Sequence, residues 1–414
     1  SETWLMNLRK NGLDSFADQG FPTSVLEEWK YTDLEIFEDF HSDKKNSEDI
    51  LLKDLLWLPS SLKTCRFVFV NGHFNLELSS ANLMGSGMKV MPLSEALDTD
   101  PEIVQEYLGQ IGPINEFPVC ALNTAFIEDG VVIYIEGKQL TDPIEVLFVS
   151  AGADNGAYHP RNLVVAKNGA QLTILERHIS FESGAYLANN VYEILAENDS
   201  HVKHYRMLDD SLEAINLSMV NARVGLDSSY DSFVMSAGGR LIRAEIHVDC
   251  TSSGARVNLN GIYIARSSQH MDHTTSIKHS VPNTTSSENY KGVLDDHSRG
   301  VFQGSIIVSE GADGTDGQMN NKTLLLSDGC EIDAKPQLEI YADDVQCAHG
   351  FTAGELDDDS LFYLCSRGIP KPMARAMLVE GFLAEIIDSA ISESYQMVFK
   401  KRIEEWMKKT NDRI

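Results

Sequence analysis

A chain of 414 residues is about two to three times the size of one ordinary core, so several domains or one elongated solenoid is expected and a single small domain is excluded. Its 34 basic and 62 acidic side chains leave a net charge of -28, which repels phosphate backbones and anionic lipid headgroups and argues against nucleic-acid and membrane partners. With 43% hydrophobic and 23% charged residues the composition is that of a folded globular protein.

No run approaches the about 20 apolar residues that span a bilayer. Ser1 to Lys10 has no basic patch followed by an apolar run, so a cytoplasmic location is expected. The cysteines at 65, 120, 250, 330, 347 and 365 are too sparse for a disulfide framework and include no CxxC pair, so reduced thiols are expected.

Residues 1–120 read as a mostly helical domain with one hairpin, in which Arg66-Phe67-Val68-Phe69-Val70 and Phe74-Asn75-Leu76-Glu77-Leu78 flank an Asn71-Gly72 turn. Tryptophans at 4, 29 and 57 are expected to be core residues. From 121 to 354 the pattern changes to short β-branched runs such as Val131-Val132-Ile133-Tyr134-Ile135 and Ile306-Ile307-Val308, punctuated by Gly, Asn and Asp. Turn-forming residues recur at Gly169, Asp199, Asp227, Gly254, Gly300 and Gly329, with successive differences of 30, 28, 27, 46 and 29. A spacing of 27 to 30 fits one coil of a parallel β-helix, and the long interval, with Pro282 and the Ser/Thr/Asn-rich stretch Thr274 to Ser287, predicts a loop thrown out of one coil.

Helical periodicity returns over 355–414. Asp357, Asp358 and Asp359 open a short helix that Gly368 ends. Pro370 and Pro372 begin a longer one, with an apolar stripe through Ala374, Met377, Leu378, Gly381, Phe382, Ile387, Ala390 and Ile391. These helices are expected to cap the open end of the solenoid or to receive a partner.

Thr315-Asp316-Gly317-Gln318-Met319-Asn320-Asn321, Asp333-Ala334-Lys335-Pro336-Gln337-Leu338-Glu339-Ile340-Tyr341, Cys347-Ala348-His349-Gly350 and Leu361-Phe362-Tyr363-Leu364-Cys365-Ser366-Arg367-Gly368 resemble the SufB/SufD family of iron-sulfur cluster assembly proteins. Gln269-His270-Met271-Asp272-His273 and Tyr290-Lys291-Gly292-Val293 look like the same family, and Glu28-Trp29-Lys30-Tyr31-Thr32 is similar to its SufD branch. The motifs are densest between 290 and 385, and Cys365 stands where the family more often has arginine. The resemblance implies a right-handed parallel β-helix with helical ends. It also implies a non-catalytic scaffold that pairs with a SufB-like subunit, binds a SufC-like ATPase through the C-terminal helices and serves iron supply, with a homodimer as the alternative for the chain alone.

Cys347 and His349 are two apart, so on a strand they share a face, and a thiolate beside an imidazole suits iron or zinc. A lone C-x-H is more often two residues without joint chemistry. The resemblance implies that this pair contributes to a transient iron-sulfur cluster or iron site shared with the partner subunit. His270, His273 and His279 lie in strand-like sequence, where positions three apart face opposite sides, so hydrogen bonds to Ser, Thr and Asp272 are expected rather than a metal. The acidic pairs Asp295-Asp296 and Asp343-Asp344 are expected to be solvated turns, and no G-x-x-x-x-G-K-[ST] motif for ATP occurs. The rival reading is a β-helix carbohydrate-active enzyme, which would need carboxylates paired along one groove.

Overall fold

The computed structural model describes residues 2–34, 50–80, 83–85, 87–152, 155–181 and 184–411. Ser1, where the leader reading begins, and residues 412–414, the end of the helical tail, lie outside the described residues. The core is the expected parallel β-helix, built as two facing sheets of ten and eleven strands. One sheet stacks Gln171–Ser180, His201–Asp209, Ser229–Ser236, Arg256–Ala265, Thr285–Leu294, Thr315–Leu325 and Val345–Gly354 in that order. The other interleaves Tyr186–Glu197, Ile215–Val224, Leu241–Cys250, His270–His279, Arg299–Val308 and Glu331–Ile340. Every neighbouring pair in these stacks is parallel and in continuous register, so each side chain stands over its counterpart one coil back.

One corner of the coil needs a left-handed backbone, and Gly169, Asp199, Asp227 and Gly254 supply it, with φ from +50° to +81°. Each gives its amide to a carbonyl of the next coil, as Gly254 does to Asn283 at 2.9 Å. The next members of the series are Asn283 (φ 59°) and Gly314 (φ 74°), not Gly300 and Gly329. Gly300 lies inside the strand Arg299–Val308, so the long interval arises from mixing two positions of the coil. No loop is thrown out there. The stretch from Thr274 to Ser287 falls in the strands His270–His279 and Thr285–Leu294, and its hydroxyls serve buried imidazole: His279 lies 2.7 Å from Thr284 Oγ1 and 2.9 Å from Ser286 Oγ.

The hairpin turn forms as expected, with Phe69 opposite Phe74 around Asn71 and Gly72, both at positive φ, but the second arm is only His73–Phe74, and Asn75 to Leu78 are not strand. Its first strand, Cys65–Val70, also lies parallel on Ile144–Ser150 and starts one sheet. The neighbouring Leu83–Gly85 and Met88–Pro92 pair antiparallel and lead into Val131–Glu136, where helix was expected; these runs are too short for periodicity to separate the two. Trp29 is buried, whereas Trp4 and Trp57 are half-buried.

The helices Lys371–Ala390 and Glu393–Asn411 do not cap the end of the solenoid. They lie along the outer face of the sheet that carries Cys347, with Val379, Leu383, Ile386, Phe399 and Trp406 packed on Tyr205, Phe233, Met235, Ile262, Ile264 and Val293. Those outward positions are apolar over several coils and must be covered, which decides the placement. Of the expected stripe Ala374, Ile387 and Ile391 are buried, whereas Met377 and Gly381 are exposed and Val379, Leu383 and Ile386 are buried in their place. The short helix Asp358–Ser366 keeps its cap, the Ser360 amide donating to Asp357 Oδ2 at 2.8 Å, and Gly368 (φ 85°) follows it.

Inside the coil, charge replaces hydrocarbon at a few rungs. Glu176 receives His178 at 2.7 Å and His204 at 2.8 Å; burial opposes its ionisation, but these two hydrogen bonds hold the carboxyl far below the usual range. Two rungs from the open end, burial pushes the Glu288 carboxyl up to about 8 against one hydrogen bond from Thr275 at 2.5 Å. Burial also drives His273 down to about 3 and His279 down to about 4.

Two outcomes are expected. In Gly254→Ala the new methyl meets Asp227 Oδ1 at 2.0 Å in a backbone that already disfavours L side chains, so denaturant melts should show a loss of about 1–3 kcal/mol. Gly311→Ala, at φ +76° with open space around it, should lose less. Unfolded glutamate gives up its proton near 4.5, whereas folded Glu288 keeps it to about 8, so its contribution to stability is lost as pH rises through that window. Glu288→Gln should therefore raise the melting temperature at pH 8 and converge on the parent near pH 5, the pH values being about those limits.

Candidate functional site

The last rung of one sheet is Val345–Gly354, and Cys347 and His349 stand there over Gly317 and Met319. A methyl on Gly317 would touch Ile306 of the opposite sheet, and Met319 reaches the Gly304 position across the coil, so this column faces the interior. Cys347 accordingly packs on the end of the apolar core. His349 shares its side by strand alternation but is exposed, because no further rung covers it. The expected common face is thus the inner face, at the mouth of the solenoid.

Burial pushes the Cys347 thiol up from its ordinary value, while the Gly317 amide favours the thiolate. Cys347 is therefore predominantly protonated near neutral pH until a metal or a cation replaces the proton. Two side chains do not fill the coordination shell of iron. Among the described residues no group of three or more His, Cys, Asp or Glu side chains is arranged to hold a metal. The backbone around the pair is also incomplete: among the described residues Val345–Gly354 pairs as a strand only with Thr315–Leu325, and Glu331–Ile340 only with Arg299–Val308. Among the described residues the mouth thus has two strand edges without a strand partner, flanked by exposed Ile340, Tyr341 and Phe351.

The other histidines are divided by the sheet as their spacing predicts. His270 faces outward, with Nε2 2.9 Å from Thr32 Oγ1, while His273 points inward, 2.9 Å from Ser236 Oγ. Asp272 binds Arg243 and the Thr32 hydroxyl. Asp295 and Asp296 form a corner, and Asp296 Oδ2 accepts from the Ser267 amide at 2.9 Å. Cys365 is half-buried on the helix Asp358–Ser366. Sequence reading missed the buried Glu176 group, although Leu172, Ile174, Glu176 and His178 share one parity and the first two are core residues. Among the described residues no helix is long and apolar enough to cross a membrane.

Residues 148–382 match the family described as SUF system FeS cluster assembly, SufBD core domain, and residues 1–146 match the SufBD protein N-terminal region. An iron-sulfur cluster assembly SufBD family protein of Synechocystis sp. is 30% identical over 404 residues, covering 95% of this chain and 89% of the relative. The iron-sulfur cluster assembly protein SufD of Escherichia coli is 28% identical, with 94% and 90% covered. SufD of Bacillus subtilis is 25% identical, with 93% and 90% covered. The motif resemblance therefore extends through both regions and both kinds of secondary structure, and the chain belongs to the SufBD family of SUF-system iron-sulfur cluster assembly proteins.

Proposed function

We propose that this chain is a SufD-type scaffold subunit in the cytoplasm. It pairs with a SufB-type subunit through the open strand edges and lends Cys347 and His349 to a nascent cluster or its iron at that junction. The observation that carries the reading is a thiol and an imidazole on the inner face of a final rung whose outer edge pairs with no strand among the described residues. A partner strand laid on Val345–Gly354 would complete the hydrogen-bond ladder and could supply the missing ligands in the same step. Here the iron or cluster is cargo, and ligands divided between two chains release it when the chains move apart. The chain itself contributes binding and positioning rather than bond-breaking chemistry.

The motion would come from a SufC-type ATPase docked on the C-terminal helices. Phe362 and Tyr363 of Asp358–Ser366, and Met373 and Met377 of Lys371–Ala390, are exposed apolar side chains that make a contact surface there. Lys291 joins this helical layer to the solenoid, its ammonium donating to Phe382 O at 2.7 Å and Glu385 Oε2 at 2.5 Å. Force on the helices is thereby transmitted to the strand Thr285–Leu294, two rungs from the mouth.

In the complex with SufB- and SufC-type partners, Cys347→Ala and His349→Ala should each lower the yield of reconstituted cluster by on the order of tenfold while the partners still co-purify. Undiminished assembly in both variants would refute the shared site. Phe362→Glu with Tyr363→Glu should remove the ATPase from the purified complex and leave the melting temperature of the chain unchanged. Retention of the ATPase would place its contact elsewhere.

A further inference from the structure

The SufD-like motif Glu28-Trp29-Lys30-Tyr31-Thr32 belongs to a strap, residues 20–34, that crosses the outer face of the second sheet. Trp29 lies under the Arg243 guanidinium at 3.8 Å, Gln303 donates to Glu28 O at 3.0 Å, and Thr32 donates to Asp272 at 2.5 Å. These contacts fix the strap and leave a cleft on either side of Trp29. The larger, about 710 Å³, presents Glu27, Glu28, Glu116, Glu245 and Glu339, with Lys335 already bonded to Glu27. The other, about 500 Å³, presents Lys30, Arg240 and Arg299 with the hydroxyls of Ser24, Tyr31 and Ser268.

A cationic cleft is unexpected in a chain of net charge -28. Arg161, Arg243, Arg299 and Arg402 each have a carboxylate partner, in the case of Arg299 the Asp333 Oδ2 at 2.5 and 2.9 Å. Arg240 and Lys30 have no carboxylate within ion-pair distance among the described residues; the Lys30 ammonium lies over the Tyr31 ring at 5.6 Å and acts on Glu27 only at longer range. Asp33 is the one carboxylate in the lining, facing three cations. His270 borders the cleft with Nε2 engaged by Thr32, and burial lowers its tendency to protonate. The balance at the wall is positive.

We propose that this cleft binds a small phosphorylated compound. Lys30 and Arg240 outweigh the single Asp33 carboxylate and attract a phosphate monoester, the Arg240 fork suits its oxygens, and the three hydroxyls offer further donors. The volume lies within the range of small-molecule sites. Because Lys30 and Tyr31 come from the strap and Arg240, Ser268 and Arg299 from the solenoid, the ligand ties one to the other and stabilises their contact. The neighbouring glutamate cleft repels the same anion, which confines it to one side of Trp29. None of this depends on Cys347 and His349.

The test uses the full chain with inorganic phosphate and pyrophosphate as probes, followed by phosphorus NMR and by melting temperature, with sulfate and citrate at matched ionic strength. Saturable binding near about 1 mM or tighter is expected, weakened at least about tenfold in Arg240→Ala and partly kept in Arg240→Lys. Arg256→Ala, an exposed site on the solenoid, should bind as the parent does. Lys30 is also exposed, so Lys30→Ala reports on binding even if Arg240→Ala folds poorly. Equal shifts from all four anions, or unchanged affinity in both Arg240→Ala and Lys30→Ala, would overturn the site. Co-sedimentation with phosphatidylserine vesicles that Arg240→Ala abolishes would overturn the small-molecule assignment in favour of a lipid headgroup.

Discussion

Parallel strand stacking with a coil of nearly constant length is the constraint from which the rest of this molecule follows. Each rung satisfies its backbone by pairing with the rung before and the rung after, and the corner amides repeat the same bond between coils. The ladder has no internal reason to stop. Where it does stop, at Val345–Gly354 and Glu331–Ile340, it leaves donors and acceptors that no strand among the described residues engages. Cys347 and His349 lie on that terminal rung, so the chemistry proposed for them and the interface proposed beside them share one structural cause.

Continuous register also explains why charge is tolerated inside the coil. A buried carboxylate such as Glu176 is held between two imidazoles because the ladder fixes His178 on its own strand and His204 on the next. Glu288 has only Thr275, and burial answers by keeping its proton on. Burial opposes ionisation at both sites, and the outcomes differ because the number of fixed hydrogen-bond partners differs. Outside the coil, Arg243 shows a third solution, bridging Glu245 and Asp272 while Trp29 covers its face.

Much of this was readable in the residues. The coil length emerged from Gly169, Asp199, Asp227 and Gly254 because those positions need a left-handed backbone that few residue types accept. The histidine spacing placed His270 and His273 on opposite faces, and Cys347 with His349 on one, because strand alternation is fixed by covalent geometry. The reading failed where partners came from distant sequence. Thr274 to Ser287 resembled a loop because hydroxyl-rich runs usually are loops, and only the buried His279 and Glu288 turn those hydroxyls into interior partners. The helical stripe was right at Ala374, Ile387 and Ile391 but wrong at Met377 and Gly381, because apolar residues such as Val379 and Leu383 lie beside it and the sheet chose which to bury.

By itself the sequence determined the parallel coil, its corner residues, the helical tail and the family motifs, since each depends on local backbone preference or on short patterns of side chains. Only the tertiary structure decided that the tail runs along the side of the solenoid rather than over its end, that the Cys347 and His349 column faces the mouth, and that Lys30 of the strap lines one cleft with Arg240. Those outcomes depend on which surfaces remain uncovered after the coils have stacked, and an uncovered surface belongs to the assembled fold rather than to any one stretch of chain.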